Sequence, residues 1–232
     1  MATRPSVPSE VKRQLRQEAG FGCCSCGYPF VEYHHIVPFA DEPHFRPGDM
    51  MVLCSRCHDL CTVGALTEAE QRSAKARPKN VVDNELRGLL YVNSAECKVR
   101  LGGGMAVDTP DLINFRGTTM LGIERADDGR VLVSALIQNP EGEIVAQLAR
   151  NEWILAPDAL WDFDAKPRIA TARSGPGAIA FEVDARGDTM SVRGTWWAGG
   201  APVRFTEDRI TFRQNQIMAC NVVACRGFIR LE

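Results

Sequence analysis

The chain has two patterns of hydrophobic and polar positions, and the change between them falls near residue 92. In the first third, Val11 and Leu15 lie four residues apart, which is the spacing of one helix face. Ser9 is the expected N-cap of this helix, and Gly20 and Gly22 are expected to end it. The pattern therefore predicts a short helix near the beginning of the chain.

A strand and a second helix are predicted further along the first third. The run FVEYHHIVPF is rich in β-branched and aromatic residues and is bounded by Pro29 and Pro38, which is typical of a strand. A polar loop then leads to MMVLC and SRCHDLCTVGAL. Thr67 and Glu70 have the spacing of a capping box, so a helix is predicted from there to Ala76.

Beyond residue 92, apolar residues alternate with polar ones between turn signals such as NPEG and GPG. The alternation is clear from Val131 to Ile137 and from Ile179 to Val183. Short strands at this spacing predict an all-β domain, either a sandwich or a solenoid-like stack. The predicted fold class is α+β, with one domain over residues 1–85 and a β-rich accessory domain over residues 93–232.

Composition and charge limit the classes of function. The chain of 232 residues is 45% hydrophobic and 24% charged, which is ordinary for a folded globular protein. It has no apolar run near the length of about 20 residues that spans a bilayer, and its first residues lack a secretory core. The expected compartment is the cytoplasm. A net charge of −2 confines any nucleic-acid surface to a local patch.

Two cysteine pairs predict a structural zinc site. Cys23 and Cys26 form one C-x-x-C knuckle, Cys54 and Cys57 form another, and 27 residues separate the knuckles. Such pairs suit tetrahedral zinc, and four thiolates leave no open position for substrate. The alternative is that these four are ordinary buried cysteines. Because Cys24 is adjacent to Cys23, it is also a candidate thiol of the first turn. The other cysteines are expected to be small core residues: Cys61, Cys97, Cys220 and Cys225.

Three segments of the chain resemble the HNH endonuclease superfamily. They are GFGCCSCG (residues 20–27), EYHHIVP (residues 32–38) and DMMVLCSRCHDL (residues 49–60), and the resemblance covers about residues 10–80. It implies a ββα-metal module, in which a hairpin carries a histidine pair and the following helix carries the last histidine. It also implies hydrolysis of phosphodiester bonds in nucleic acid, with DNA as the expected partner.

The resemblance assigns a role to each of three histidines. His35 matches the general base, and His34 and His58 match the ligands of a catalytic divalent metal. The chemistry agrees, because a neutral imidazole with a pKa of about 6.5 can accept a proton near neutral pH. Two imidazoles favour ions such as Mn²⁺ or another transition metal, whereas the family also allows Mg²⁺.

The histidine pair raises a geometric question. Adjacent residues on a strand point to opposite faces, so His34 and His35 serve one site only if a bulge or the strand twist brings them together. Alternatively, one of the two rings is structural. His44 lies in a loop rich in proline, where we expect it to be exposed.

Asp49 is a departure from the family, which usually has asparagine at this position. Two catalytic roles are open to Asp49. Its carboxylate can accept a hydrogen bond from the His35 ring, or it can be a third metal ligand. It can also be a solvated loop acid. If it has no role in catalysis, we expect weakened activity. The alternative function is that of a decayed nuclease that only binds nucleic acid or a partner.

Several basic residues are candidates for contacts with phosphates, namely Arg56, Lys75 and Arg77. A solvated helix face explains them equally well, since acidic residues share the segment. The β-rich part resembles the domain that follows the HNH module in some bacterial and phage proteins. One alternative is that it assembles the chain into an oligomer that activates the nuclease, as in bacterial or phage defence. We expect it to serve in targeting, regulation or assembly of a homo-oligomer.

Overall fold

In a computed structural model the chain folds into two compact units. The structure describes residues 5–92, 97–206, 208–213, 215–217, 221–223 and 225–231. Unit 1 runs as far as Arg87 and also takes in two short later segments, Ala156–Asp158 and Asp162–Asp164. Unit 2 contains the remainder, from Gly88 onward. No sequence pattern predicted that the two later segments belong to unit 1.

Unit 1 has a ββα arrangement at its centre. Strands β1 (Glu32–His35) and β2 (Met50–Leu53) form an antiparallel hairpin in which His35 lies opposite Met50, and helix α2 (Ser55–Thr62) follows directly. The other helices of the unit are α1 (Ser9–Glu18), α3 (Glu68–Ala76) and α4 (Lys79–Asp83). None of the helices in the described residues has the length and apolarity needed to cross a membrane.

The local signals were correct for one helix and partly wrong for the other. The capping box of α3 is confirmed, because the Thr67 side chain accepts from the Glu70 N–H and the Glu70 side chain accepts from the Thr67 N–H. The expected cap of α1 was wrong. Pro8 precedes the helix and Ser9 is already its first residue, without a side-chain cap. Proline suits this place because it has no N–H to leave unpaired.

Strand β2 is the centre of the unit 1 core. All four of its residues are buried, whereas β1 is buried only at its last residue. Leu15 of α1 and the buried cysteines belong to the same apolar cluster. Since β2 is buried on both faces and leads straight into α2, it fixes the position of the second cysteine knuckle and of His58.

A buried ion pair joins α1 to one of the later segments. Arg16 donates from Nε and Nη2 to the two carboxylate oxygens of Asp162, at 3.0 and 2.7 Å. Its Nη1 donates to the hydroxyl of Tyr33, at 2.6 Å, and Tyr33 directly precedes His34 on β1. Burial opposes the charge of Arg16, but the hydrogen bond to Asp162 holds its pKa above the usual value.

Unit 2 consists mainly of antiparallel sheet. The larger sheet follows the chain in the order β11-β12-β13-β14-β15-β16-β17, and the other has the order β19-β6-β7-β8-β9-β10-β3. The strands are β3 (Leu86–Leu89), β4 (Lys98–Leu101), β5 (Gly104–Val107), β6 (Asp111–Phe115), β7 (Thr118–Arg125), β8 (Val131–Gln138), β9 (Ile144–Ala149), β10 (Glu152–Leu155), β11 (Asp162–Lys166), β12 (Ile169–Gly175), β13 (Ala178–Asp184), β14 (Met190–Ala198), β15 (Ala201–Phe205), β16 (Ile210–Phe212), β17 (Asn215–Ile217), β18 (Val222–Val223) and β19 (Gly227–Leu231).

Aromatic side chains fill the space between the two open sheets. Trp153 of β10 lies 5.7 Å from Phe181 of β13, measured between ring centroids, and Phe181 lies 5.2 Å from Trp196 of β14. The sheets therefore pack on each other through this core. The mixed α+β class, with most of the chain in sheets, is confirmed, and the strands predicted around Val131 and Ile179 are present.

Candidate functional site

Four cysteines form a cluster that can bind a metal. The Sγ atoms of Cys23, Cys26, Cys54 and Cys57 all lie within 4.8 Å of one another, and those of Cys26 and Cys54 are 3.6 Å apart. Tetrahedral zinc with Zn–S bonds of about 2.3 Å places its sulfurs about 3.8 Å apart. The donor set and the spacing fit structural zinc. Cys24 stands outside the cluster, which answers the question that the sequence left open.

The thiols of the cluster differ in acidity. Burial raises the pKa of Cys26 to about 11, and it also raises the pKa of Cys57. Burial opposes ionisation of Cys54 as well, but hydrogen bonds from the Cys57 N–H and from neighbouring thiols lower its pKa overall. Cys54 is therefore a thiol of the cluster whose ionised form its neighbours stabilise. A bound zinc ion displaces the remaining protons, so its affinity rises with pH.

Helix α4 fastens the first knuckle. Asn80, which is buried, donates from its amide nitrogen to the carbonyl oxygens of Gly20 and Gly27, at 3.2 and 2.9 Å. Gly27 has a φ of +81°, and a Cβ built there would lie 2.3 Å from the Asn80 Oδ1. The residue must therefore be glycine for two reasons, its backbone conformation and the close approach of Asn80.

The fold brings His34 and His58 together. Their ring centroids are 5.0 Å apart, with His34 on β1 and His58 on the first turns of α2. The carboxylate of Glu32 lies 3.8 Å from the Nδ1 of His58. Burial lowers the pKa of His34, which favours the neutral ring that binds metal ions. Among the described residues, however, only the four cysteines form a cluster of three or more potential metal ligands, so a catalytic metal on the histidines stays a prediction.

Gln71 sets the tautomer of His34. Its side-chain nitrogen donates to the carbonyl of Leu66 at 2.9 Å, so its Oε1 is the atom that faces the Nε2 of His34, at 3.0 Å. Because an amide oxygen only accepts, the proton of the ring lies on Nε2 and the lone pair on Nδ1. No sequence pattern indicated this role, since a glutamine on a helix has no distinguishing pattern.

His35 lies in a different environment from His34. Its ring is 7% exposed and packs between Phe39, His44 and Phe45, at centroid distances of 5.1–6.0 Å. Its Nε2 donates to the carbonyl oxygen of His44 at 2.9 Å, which leaves Nδ1 as the basic atom. The structure thus pairs His34 with His58, whereas His35 is held by the loop that follows β1.

The expectation for His44 was wrong, because this residue is buried. Its Nε2 donates to the carbonyl of Val37 at 3.2 Å, and its Nδ1 accepts from the N–H of Arg46 at 3.2 Å. Both bonds close the loop between the strands of the hairpin, and the His44 carbonyl orients His35. A loop sequence rich in proline and charge suggested exposure, but the ring satisfies backbone groups that would otherwise be unpaired.

Two arginines hold the carboxylate of Asp49. Arg46 donates to it from Nε at 2.8 Å, and the guanidinium of Arg72 approaches it at 3.4 Å. The hydrogen bond from Arg46 lowers the pKa of Asp49, so the residue is ionised at neutral pH. Its backbone carbonyl accepts from the N–H of Ile36, directly after the histidine pair.

The predicted nucleic-acid-binding residues have different surroundings. Lys75 forms an ion pair with Glu18 at 2.7 Å. Arg56 and Arg77 are exposed, and neither has an ion pair within the part of the chain that the structure describes. These two guanidinium groups remain available to a phosphate.

The other cysteines do not all lie in a core. Cys97 is buried as expected, and Cys61 is half-buried. The expectation for Cys225 was wrong, because this residue is exposed. Cys220 lies outside the described residues.

Comparisons with protein-family models, with curated proteins and with solved structures returned no match to this chain.

Proposed function

We propose that unit 1 is a metal-dependent endonuclease of the HNH type that hydrolyses phosphodiester bonds in DNA. The observation that carries the proposal is the pairing of His34 with His58, at 5.0 Å, beside a four-cysteine cluster in a ββα arrangement. The cysteines would hold structural zinc. His34 and His58 would hold the catalytic ion, Mg²⁺, Mn²⁺ or another divalent metal.

The residues of unit 1 divide the chemistry between them. His34 and His58 would hold the metal, which would supply Lewis-acid stabilisation of the leaving oxygen. His35 takes a proton from the attacking water at Nδ1, since the His44 carbonyl holds the proton of the ring on Nε2. Asp49 accepts a hydrogen bond from Arg46 and so holds this arginine of the loop between β1 and β2 in place.

The basic residues of unit 1 that are available to DNA are few, which suits transient binding and cleavage better than tight binding. Arg56 precedes the second cysteine of its knuckle, and Arg77 follows the end of α3. Each can contact one phosphate, which would orient the strand without strong binding. A chain with a net charge of −2 is expected to bind DNA weakly and in a salt-dependent way.

The test is nicking of supercoiled plasmid by the full chain with Mg²⁺, Mn²⁺, Co²⁺ or Ni²⁺. We expect His34→Ala, His35→Ala and His58→Ala to abolish nicking, because each removes a group that contacts metal or water. Asp59→Asn is the matched control, since this exposed residue neighbours His58 and has no role in the proposed chemistry. Absence of nicking with all metals, or equal nicking by His35→Ala, would rule out the mechanism.

A second function is favoured by the surroundings of His35 and Asp49. His35 is 7% exposed, which restricts access of water to the base, and two arginines engage the carboxylate that stands in place of the usual asparagine. A decayed nuclease would have these features and would retain zinc-dependent binding of nucleic acid or a partner. The same variants distinguish the two functions. If the protein binds plasmid without nicking it, and if His35→Ala binds with the same affinity, the result supports this alternative.

A further inference from the structure

Unit 2 carries an open cleft of about 880 Å³ on its larger sheet. Residues of strands β12 to β15, of the β12–β13 turn and of the β15–β16 turn line it. Residues alternate along β14 between the core and the cleft. Trp196 packs on Phe205 in the core, and Thr195 and Trp197 line the cleft. An indole on the solvent side of a sheet is unusual, because that face ordinarily carries polar residues.

Two arginines lie on the same face of the sheet as this indole. Arg193 precedes Thr195 by two residues on the same strand face, and Arg204 lies directly opposite Thr195 in the β14–β15 register. Cross-strand neighbours of this kind have Cβ atoms about 5 Å apart. The distance along β14 from Arg193 to Trp197 is about 13 Å, from a rise of about 3.3 Å per residue.

The two arginines differ in their partners. Arg193 donates from Nε to Glu182 at 2.5 Å, so much of its charge is balanced. Arg204 is exposed and forms no ion pair with any residue that the structure describes. Asp208 also lines the cleft, but the Thr206 hydroxyl donates to it at 2.6 Å and Arg209 pairs with it at 3.2 Å. Arg204 is thus the lining cation that is free to meet an anion.

From this juxtaposition we propose that the cleft binds single-stranded nucleic acid, with a base stacked on Trp197 and a backbone phosphate on Arg204. A guanidinium pairs well with phosphate oxygens, and an indole face stacks on any base. In a duplex the base faces are covered by their neighbours, so a strand with unpaired bases is the form that fits. The proposal gives unit 2 a binding role that does not depend on cleavage by unit 1.

The test uses the full chain with His35→Ala, which separates binding from cleavage, and a fluorescein-labelled oligothymidylate of roughly 15 nucleotides. Fluorescence anisotropy without added divalent metal gives the affinity. We expect Trp197→Ala to weaken binding about 5- to 100-fold, as stacking on one base predicts, and Trp197→Phe to restore most of it. Arg204→Ala should lower the dependence of log K on log salt by about 0.7, the share of one phosphate.

Arg230→Ala is the matched control, because Arg230 is an exposed arginine on β19 of the other sheet. Thermal unfolding of each variant separates loss of binding from loss of fold. The proposal is overturned if Trp197→Ala and Arg204→Ala bind like the parent, or if Arg230→Ala weakens binding as much. It is also overturned if a duplex binds equally well, if polyglutamate competes as strongly, or if a free nucleotide binds as tightly as the strand.

This outcome is distinguishable from failure of the nuclease proposal. Binding that responds to Trp197 in a chain that nicks no plasmid supports the cleft and removes the proposed cleavage. If wild type nicks plasmid but Trp197→Ala does not change the affinity for the strand, the nuclease proposal is supported and the cleft proposal is overturned.

Discussion

Replacement of Asp162 by alanine should destabilise unit 1 strongly. The carboxylate accepts two hydrogen bonds from Arg16, at 3.0 and 2.7 Å, and both side chains are more than 90% buried. Asp162→Ala leaves the guanidinium buried without its main counter-ion. Removal of one partner from such a pair costs more than the pair itself contributes, because the remaining charge stays out of water.

The magnitude follows from the contacts that remain. Loss of one partner of a buried pair costs about 3–5 kcal/mol. Arg16 retains its hydrogen bond to the Tyr33 hydroxyl, and the exposed carboxylate of Asp164, at 3.9 Å, can move closer. We therefore expect the lower end of the range, about 3 kcal/mol. A double variant, Arg16→Met with Asp162→Leu, removes both charges and should recover most of the loss.

The two units have different spectroscopic signals, which allows their unfolding to be followed separately. Helices α1 to α4 all lie in unit 1, and the tryptophans Trp153, Trp161, Trp196 and Trp197 lie in unit 2. Urea unfolding followed by circular dichroism of the helices therefore reports mainly on unit 1, and tryptophan fluorescence reports on unit 2. We expect the variant to shift the helical transition to lower urea by more than it shifts the fluorescence transition, to which Asp162 also contributes as the first residue of β11.

The control is an arginine–carboxylate pair of similar geometry that is exposed. Glu42 accepts from Arg46 at 2.5 Å, but water surrounds both side chains and screens their charges. Glu42→Ala should leave the helical transition where it is. The reasoning is refuted if Asp162→Ala shifts that transition no more than Glu42→Ala does.

Three further predictions concern the metal cluster and His34. Cys57→Ser should release zinc, measured by atomic absorption, and should unfold unit 1 at a lower temperature; a full equivalent of retained zinc would contradict the cluster. Gly27→Ala should destabilise unit 1 more than Gly64→Ala, since both have positive φ but a Cβ at Gly64 meets nothing within 4 Å; equal unfolding midpoints would contradict this. Without added divalent metal, His34 should titrate below 6.5 by NMR, because burial lowers its pKa. The unfolded chain then binds this proton first, so stability falls as pH drops below about 6.5 toward the lower folded pKa; a titration midpoint at or above 6.5 would contradict it.

The sequence was informative where the relevant interaction is local. A C-x-x-C turn places two thiolates side by side within four residues, so the spacing predicted the two knuckles, and the structure excluded the alternative with Cys24. The capping box joins Thr67 to Glu70 within one helical turn. Alternation of apolar residues similarly predicted strands around Val131 and Ile179, because a strand with one buried face has a period of two.

Tertiary structure decided the features that join distant parts of the chain. Arg16 and Asp162 are 146 residues apart, and no pattern near either residue marks the other as its partner. The sequence placed His34 and His35 side by side, yet the pleat of β1 turns one ring toward His58 and the other into a loop. The tautomers of these rings depend on hydrogen-bond acceptors from α3 and from the loop, which come into place only when the chain folds. The residues of the site were thus readable from the sequence, but their protonation, burial and pairing depend on neighbours that packing supplies.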